Sequence, residues 1–191
     1  MPGFTDNDLE ALSRVIQSEV GDGGSHEERI AVGWVARNRA RKRGVTLAKF
    51  ALPPAKQGKG RPMSSARPGT EASKAAAFEV LSSQDDPTHG AYAAFEPALQ
   101  DKLFMERRKG YSMDAGMVRA KWLREMSYFG TVGAWDLFGA KGGAGAMPLP
   151  PGFATVAPGR SSGARGSGKA AGSGGFPWLL LLLLGLASKR R

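Results

Sequence analysis

The carboxyl of Glu19 is the group in this sequence best placed for acid–base chemistry. Glu19 lies seven residues beyond Leu12, and seven helical steps of about 100° fall about 20° short of two turns. Both side chains therefore leave nearly the same face of a helix, and Leu9, Leu12, Val15, Ile16 and Val20 at helical spacing make that stripe apolar. A carboxylic acid there loses hydration, which disfavours its charged form and raises its pKa. The negative end of the helix dipole just before Gly21 acts in the same direction. Such a group stays protonated near neutrality, as a general acid must. Fraying of the last turn has the opposite result, with Glu19 swinging into water as most glutamates do. Position alone leaves both outcomes open.

Other chemistries are bounded by what accompanies this residue. With no cysteine in 191 residues, thiolate nucleophiles, disulfides and Cys-ligated zinc are excluded. His26 and His89 are too far apart for a local metal motif, and neither a His-x-x-x-His nor an Asp-rich calcium loop occurs, so no metal or cofactor is expected.

The elements that must hold Glu19 read mainly as helices. Thr5 with Asp8 forms an acidic variant of a capping box, opening a helix that Gly21-Asp-Gly-Gly24 stops. Ser25 with Glu28 forms a second box. The run after it carries Ile30, Trp34, Val35 and Asn38 on one side and the cations Arg37, Arg39, Arg41, Lys42 and Arg43 toward its end, and Gly44 closes it. Those cations suit phosphate contacts, but the dipole also favours cations in a last helical turn. Residues 51–69 hold too many Pro and Gly for a regular element and read as a long loop. Thr70 caps a helix through Leu81, Ala91–Phe95 reads as a short strand, Pro97 starts another helix, and Ser112–Met126 reads as the last. Thr131–Phe138 completes a small sheet. The expected class is α+β, mainly helical, with a small β-sheet.

Charge divides the chain differently. Residues 1–140 hold all 17 acidic residues and 20 of the 27 Lys and Arg, a net charge of +3, whereas the remaining 51 residues carry +7. The body is therefore only mildly basic, and no nucleic-acid partner is expected: the interleaved aromatic and basic residues that read single strands are missing. Residues 141–175, rich in Gly, Ala, Ser and Pro, read as a flexible linker between a 1–140 domain and a 176–191 tail. Phe176-Pro-Trp followed by six leucines, Gly-Leu-Ala187 and Ser188-Lys-Arg-Arg191 has the pattern of a membrane anchor with a basic end. As a helix, residues 176–187 span roughly 18 Å, short of the roughly 30 Å hydrocarbon core, so an interfacial tail is the alternative to a full crossing. Met1–Arg14 carries Asp6, Asp8 and Glu10 and no apolar run, so no secretory signal is visible there.

Several segments together resemble the SleB-type cell-wall hydrolases. These are Glu19-Val-Gly-Asp; Glu27-Glu-Arg-Ile-Ala-Val-Gly-Trp-Val-Ala-Arg-Asn38-Arg39; Asp86-Pro-Thr-His-Gly-Ala-Tyr-Ala-Ala-Phe-Glu-Pro97; the Gly60–Ser65 segment; Ala98–Asp101; Gly110-Tyr111; and Val118–Trp122. The resemblance covers residues 5–138. It implies a lysozyme-like, lytic transglycosylase-like domain that cuts peptidoglycan glycan strands between N-acetylmuramic acid and N-acetylglucosamine. Glu19 matches the catalytic glutamate, protonating the leaving oxygen and then deprotonating the muramyl C6 hydroxyl to give a 1,6-anhydro product. The nucleophile is internal to the sugar, so one carboxylate suffices. If a partner acid exists, Asp22, Glu27 and Glu96 are available.

Around the substrate the resemblance places Asn38, Thr88, Tyr92, Phe95 and Glu96. Of these, Asn38 is expected to bond backbone at the cleft, and Tyr92 and Phe95 either stack on sugars or fill the core. His89 and Glu96 depart from the family's more usual Gly and Asn or Asp. A muramidase, an amidase and a non-catalytic wall- or membrane-binding protein are the competing readings. The tail would hold the body at membrane lipid, with Lys189, Arg190 and Arg191 on the interior side and the body facing peptidoglycan. Delivery in a phage particle or insertion directed by the tail would each account for export.

Overall fold

Thr5 and Ser25 open the first two helices, α1 (Asp6–Glu19) and α2 (His26–Lys42), as reciprocal capping boxes. The Thr5 hydroxyl accepts from the Asp8 amide at 3.2 Å while the Asp8 carboxylate accepts from the Thr5 amide at 3.2 Å. Ser25 and Glu28 repeat the exchange at 3.1 and 2.7 Å. Each box satisfies amides that a helix start leaves without partners. The computed structural model describes residues 4–51, 68–151 and 153. The expected loop therefore lies mostly outside the described residues, as do most of the linker and the whole apolar tail.

Every residue of α2 from Arg29 to Ala36 is buried. A helix covered all round needs layers on both sides. On one side Trp34, Ala36 and Ala40 join Leu12 and Ile16 of α1, Leu47 and Phe50 of α3 (Leu47–Ala51) and Val80 of α4 (Glu71–Ser82). On the other, Val32 and Val35 meet Ala91, Ala94, Phe129, Trp135 and Leu137. These residues belong to or adjoin a three-stranded antiparallel sheet of β1 (Ala93–Phe95), β2 (Met126–Val132) and β3 (Trp135–Ala140), in the order β1-β3-β2. Register pairs Phe95 with Asp136 and Tyr128 with Phe138, and a bulge falls at Phe129. Two further helices, α5 (Pro97–Met105) and α6 (Ala115–Glu125), precede β2. Val118 and Trp122 of α6 form another cluster with Phe95, Tyr128 and Phe138. The mixed α+β class with helix predominant is what the chain forms.

Three boundaries differ from the sequence expectation. The short helix α3 was not anticipated. The helix expected over Ser112–Met126 starts only at Ala115, because Asp114 caps it by accepting from the Met117 amide at 2.8 Å. Met126 is already extended and begins β2, burying alternate residues Met126 and Tyr128. The third difference is the linker. Residues just past Ala140 are bonded to the sheet: the Met147 amide donates to the Tyr128 carbonyl at 2.8 Å and the Gly142 amide to Ser127 Oγ at 3.0 Å. Phe153 lies 4.8 Å from the Tyr128 ring, with the Arg119 guanidinium 4.5 Å from its own ring centre. Glycine in this stretch serves close approach, since a Cβ on Gly139 would overlap the Phe129 ring and one on Gly145 would sit 2.6 Å from His89 Cβ. Residues 142–147 therefore pack with the sheet. A chain ending at residue 153 should unfold at the same urea concentration as the full chain, whereas one ending at Ala140 should lose about 1–2 kcal/mol. Equal midpoints for the two truncations would restore the boundary at 140.

Candidate active site

Glu19 is the last residue of α1, and the turn beyond it is held from two directions. Gly21 takes φ of 70°, a backbone state that glycine adopts without strain and that stops the helix there. Buried Arg29 of α2 donates from Nη2 to the carbonyls of Gly21 and Asp22, both at 3.1 Å. Gln17 Nε2 donates to Asp22 Oδ1 at 2.8 Å. This pinning opposes fraying. The Glu19 side chain stays among protein atoms while keeping partial solvent access.

Burial pushes the Glu19 carboxyl from its ordinary 4.5 up to about 7, even though the Arg39 charge pulls it down. Desolvation thus outweighs the nearby cation. Among the described residues no hydrogen bond or ion pair occupies the carboxyl. Arg39 comes from the last turn of α2, and its Nε donates to the Tyr92 carbonyl at 2.8 Å. Burial, then the charge of Arg43, lowers the Arg39 pKa to about 10, with Glu19 and Tyr92 opposing. Tyr111, in the loop between α5 and α6, is buried, and its hydroxyl is pushed up to about 12 by burial and then by Glu19, with Arg108 opposing. The Tyr111 phenol therefore stays neutral, and able to donate, over the whole working pH range. Glu19, Arg39, Tyr92 and Tyr111 thus converge from four separate segments.

The remaining candidates divide. Asn38 Nδ2 donates to Asp86 Oδ2 at 2.7 Å and to the Ala91 carbonyl at 3.0 Å, as expected of a backbone-binding amide. Thr88 is buried, and its hydroxyl donates to Asp86 Oδ1 at 2.6 Å, so it fixes the turn and is not offered to a ligand. Phe95 is also withdrawn from the substrate role. It is buried 5.2 Å from Trp122, edge to face, and stacked 5.9 Å from Phe138. Tyr92 remains at the site, partly exposed, with Lys42 Nζ 3.4 Å from its ring centre.

Glu96 stands at the start of α5. Burial and then the charge of Glu28 raise its pKa, and Glu28 is itself held by the Ala134 amide at 2.8 Å. Neither acid is among the groups that act on Glu19. Asp22 is exposed and accepts from Gln17, and Glu27 is exposed in the first turn of α2. Among the described residues, no second carboxylate is thus among the groups that act on the Glu19 pKa. A separate groove of about 440 Å³, lined by Pro87, Phe129, Thr131, Met147 and Pro148 among others, offers room without a carboxylate or a histidine.

Sequence reasoning had not assigned site roles to Arg39 or Tyr111. In the sequence Arg39 is one of several dipole-compensating cations, set apart only by its place immediately after Asn38. Tyr111 sits in a loop, where no periodicity indicates a direction. Replacing Arg39 by Met should raise the Glu19 pKa above about 7, because the one lowering influence is removed. Titration of Glu19 followed by carboxyl-resolved NMR checks this, and an unmoved or lowered midpoint would show that Arg39 does not act on the acid. Compared with known family models, curated proteins and solved structures, the chain matches none of them.

Proposed function

We propose that this chain is a lysozyme-like, peptidoglycan-degrading enzyme, a lytic transglycosylase in which Glu19 serves as acid and then base. The observation that carries the reading is one carboxyl poised near neutrality, partly open to solvent, with no second carboxylate among the described residues acting on it. A paired-acid glycosidase holds a second carboxyl about 5–9.5 Å away. A reaction whose nucleophile is part of the substrate needs only one.

Protonated Glu19 gives its proton to the glycosidic oxygen as the bond to the muramyl C1 breaks. The resulting carboxylate then takes the proton of the C6 hydroxyl, whose oxygen bonds to C1. Glu19 is again protonated and no water is consumed. Between the two steps the Arg39 charge favours the carboxylate, and its pull is weak enough to leave the acid protonated beforehand. The Tyr111 hydroxyl is available to orient a sugar oxygen. Activity should decline as pH rises through about 7, where the first step loses its proton donor.

Mass spectrometry of digested peptidoglycan tests the reading. Anhydromuropeptides are the expected product, whereas new reducing ends would identify a muramidase and freed stem peptides an amidase. Loss of neither bond would leave a wall-binding protein.

The segment 176–187 supports a membrane tether through its composition. No helix among the described residues is long and apolar enough to cross a membrane. Full-length protein is expected to stay with membranes through carbonate washing and to be cut by protease added to intact spheroplasts. A freely soluble chain, or a protected body, would refute this topology.

A further inference from the structure

We infer that Thr70, at the start of α4, is a positioning residue for Glu19, acting on it through Gln17 and Asp22. The inference rests on the proposed function and names a residue remote in sequence on which the place of the acid depends.

Gln17 is buried on α1, two residues before the acid, and its amide binds in two directions. Nε2 donates to Asp22 Oδ1 in the turn after Glu19, and Oε1 accepts from the Thr70 hydroxyl, both at 2.8 Å. The Thr70 oxygen in turn accepts from the Ser73 amide at 3.3 Å as the N-cap of α4. Chemistry fixes the sense of these bonds. A carboxylate at Asp22 has no proton to give, so the amide nitrogen has to face it. Gln17 then offers only its carbonyl oxygen to Thr70, and the hydroxyl proton lies on that bond. The result is a one-way chain of donors, Thr70 to Gln17 to Asp22, running from α4 to the turn.

Close packing puts Thr70 within reach. Ser13 is fully buried on the same face of α1, one turn before Gln17. A Cβ on Gly69 would overlap Ser13 Oγ and stand 2.8 Å from Ser13 Cβ, so glycine lets the chain lie this close to α1. Thr70, the next residue, is thereby brought to Gln17 across 53 positions of sequence.

The turn needs such a hold. It contains Gly21, Gly23 and Gly24, and glycine loses more backbone freedom on ordering than any other residue. Arg29 holds the Gly21 and Asp22 carbonyls from α2, and the chain from Thr70 holds the Asp22 side chain from α4. A helix cap requires only an acceptor oxygen at Thr70. It does not account for the proton directed to Gln17.

With Arg29 still in place, loss of this chain loosens the last turn of α1 and admits water to the acid without unfolding it. The Glu19 pKa then moves toward its ordinary 4.5. Among the described residues the titratable groups that interact with Glu19 are Arg39 of α2 and Tyr111 of the loop after α5, and substitutions at Thr70 or Gln17 alter neither.

Carboxyl-resolved NMR of the full chain, with the pH–rate profile on purified peptidoglycan recorded alongside, provides the test. In Thr70→Val and in Gln17→Met the Glu19 midpoint should fall by about one pH unit, lowering the rate about fivefold at pH 7 and little at pH 5. Thr70→Ser keeps the hydroxyl and should match the wild type. Val80→Ala opens a gap elsewhere on α4 and should lower stability with the midpoint unmoved. Thr70 is exposed, so its substitution stays readable if Gln17→Met fails to fold. A midpoint that does not fall in Thr70→Val or in folded Gln17→Met, or that falls as far in Thr70→Ser or Val80→Ala, would overturn the inference. If the wild type releases no product, the catalytic reading fails, and the NMR midpoints still decide whether Thr70 positions Glu19.

Discussion

Glu19→Gln is expected to abolish lysis and, in alkaline buffer, to make the protein more stable. On purified peptidoglycan the rate should fall by about 10²–10⁴, the usual contribution of a positioned acid–base group. Glutamine keeps the shape but can neither give nor take the proton, so circular dichroism should be unchanged. The stability effect follows from the raised pKa. Folding favours the protonated form, so this contribution is complete below about 4.5 and is lost as pH rises through about 7. At about 1.4 kcal/mol per pH unit the wild type forfeits at most about 3.5 kcal/mol across that window, less whatever its solvent access restores. The glutamine variant forfeits nothing. Urea midpoints should therefore coincide near pH 4 and separate in favour of Glu19→Gln at pH 8. Near wild-type turnover by the folded variant would remove the mechanism, and coincident midpoints at both pH values would place the carboxyl in water.

The second large effect is structural. Phe138 is fully buried in the central strand β3, 5.1 Å from Trp122, 5.9 Å from Phe95 and 5.9 Å from Tyr128. Phe138→Ala leaves a cavity among rings that belong to both edge strands and α6, so few neighbours can move in without breaking register. A cost of about 3–5 kcal/mol is expected, a large share of the stability of a domain this size. Chemical denaturation gives the value directly. A loss under about 1 kcal/mol would mean that the cluster collapses around the gap and that the sheet is less constrained than its register implies.

Legibility followed the range of the interactions involved. Capping boxes act within three residues, and Thr5, Ser25 and Thr70 start their helices as their sequences suggest. The apolar stripe carrying Glu19 is likewise local, but spacing alone leaves burial and fraying both open, and the bonds from Arg29 to the turn that oppose fraying come from another helix. Arg39 and Tyr111 act on Glu19 across the fold, and no window of sequence contains both ends of those interactions. Phe95 illustrates a different difficulty. All three residues of β1 are buried, so alternation gave no sign of which aromatic faces the cleft, and packing assigned Phe95 to the interior and Tyr92 to the site. Asn38 and Thr88 are polar because the turn at Asp86 consumes their hydrogen bonds. The Gly-rich stretch after Ala140 had the composition of a spacer, yet small residues there permit contact with Phe129 and His89.

The position of α2 between two packed layers has a kinetic consequence. Its amides from Ile30 to Ala36 cannot meet solvent unless the helical layer or the sheet first separates from it. Their hydrogen exchange should therefore proceed only through global opening and report one common free energy. Arg29 fastens the turn after Glu19 to that same helix. The acid is thus carried by the slowest-exchanging part of the molecule, and its geometry should persist for as long as the fold does.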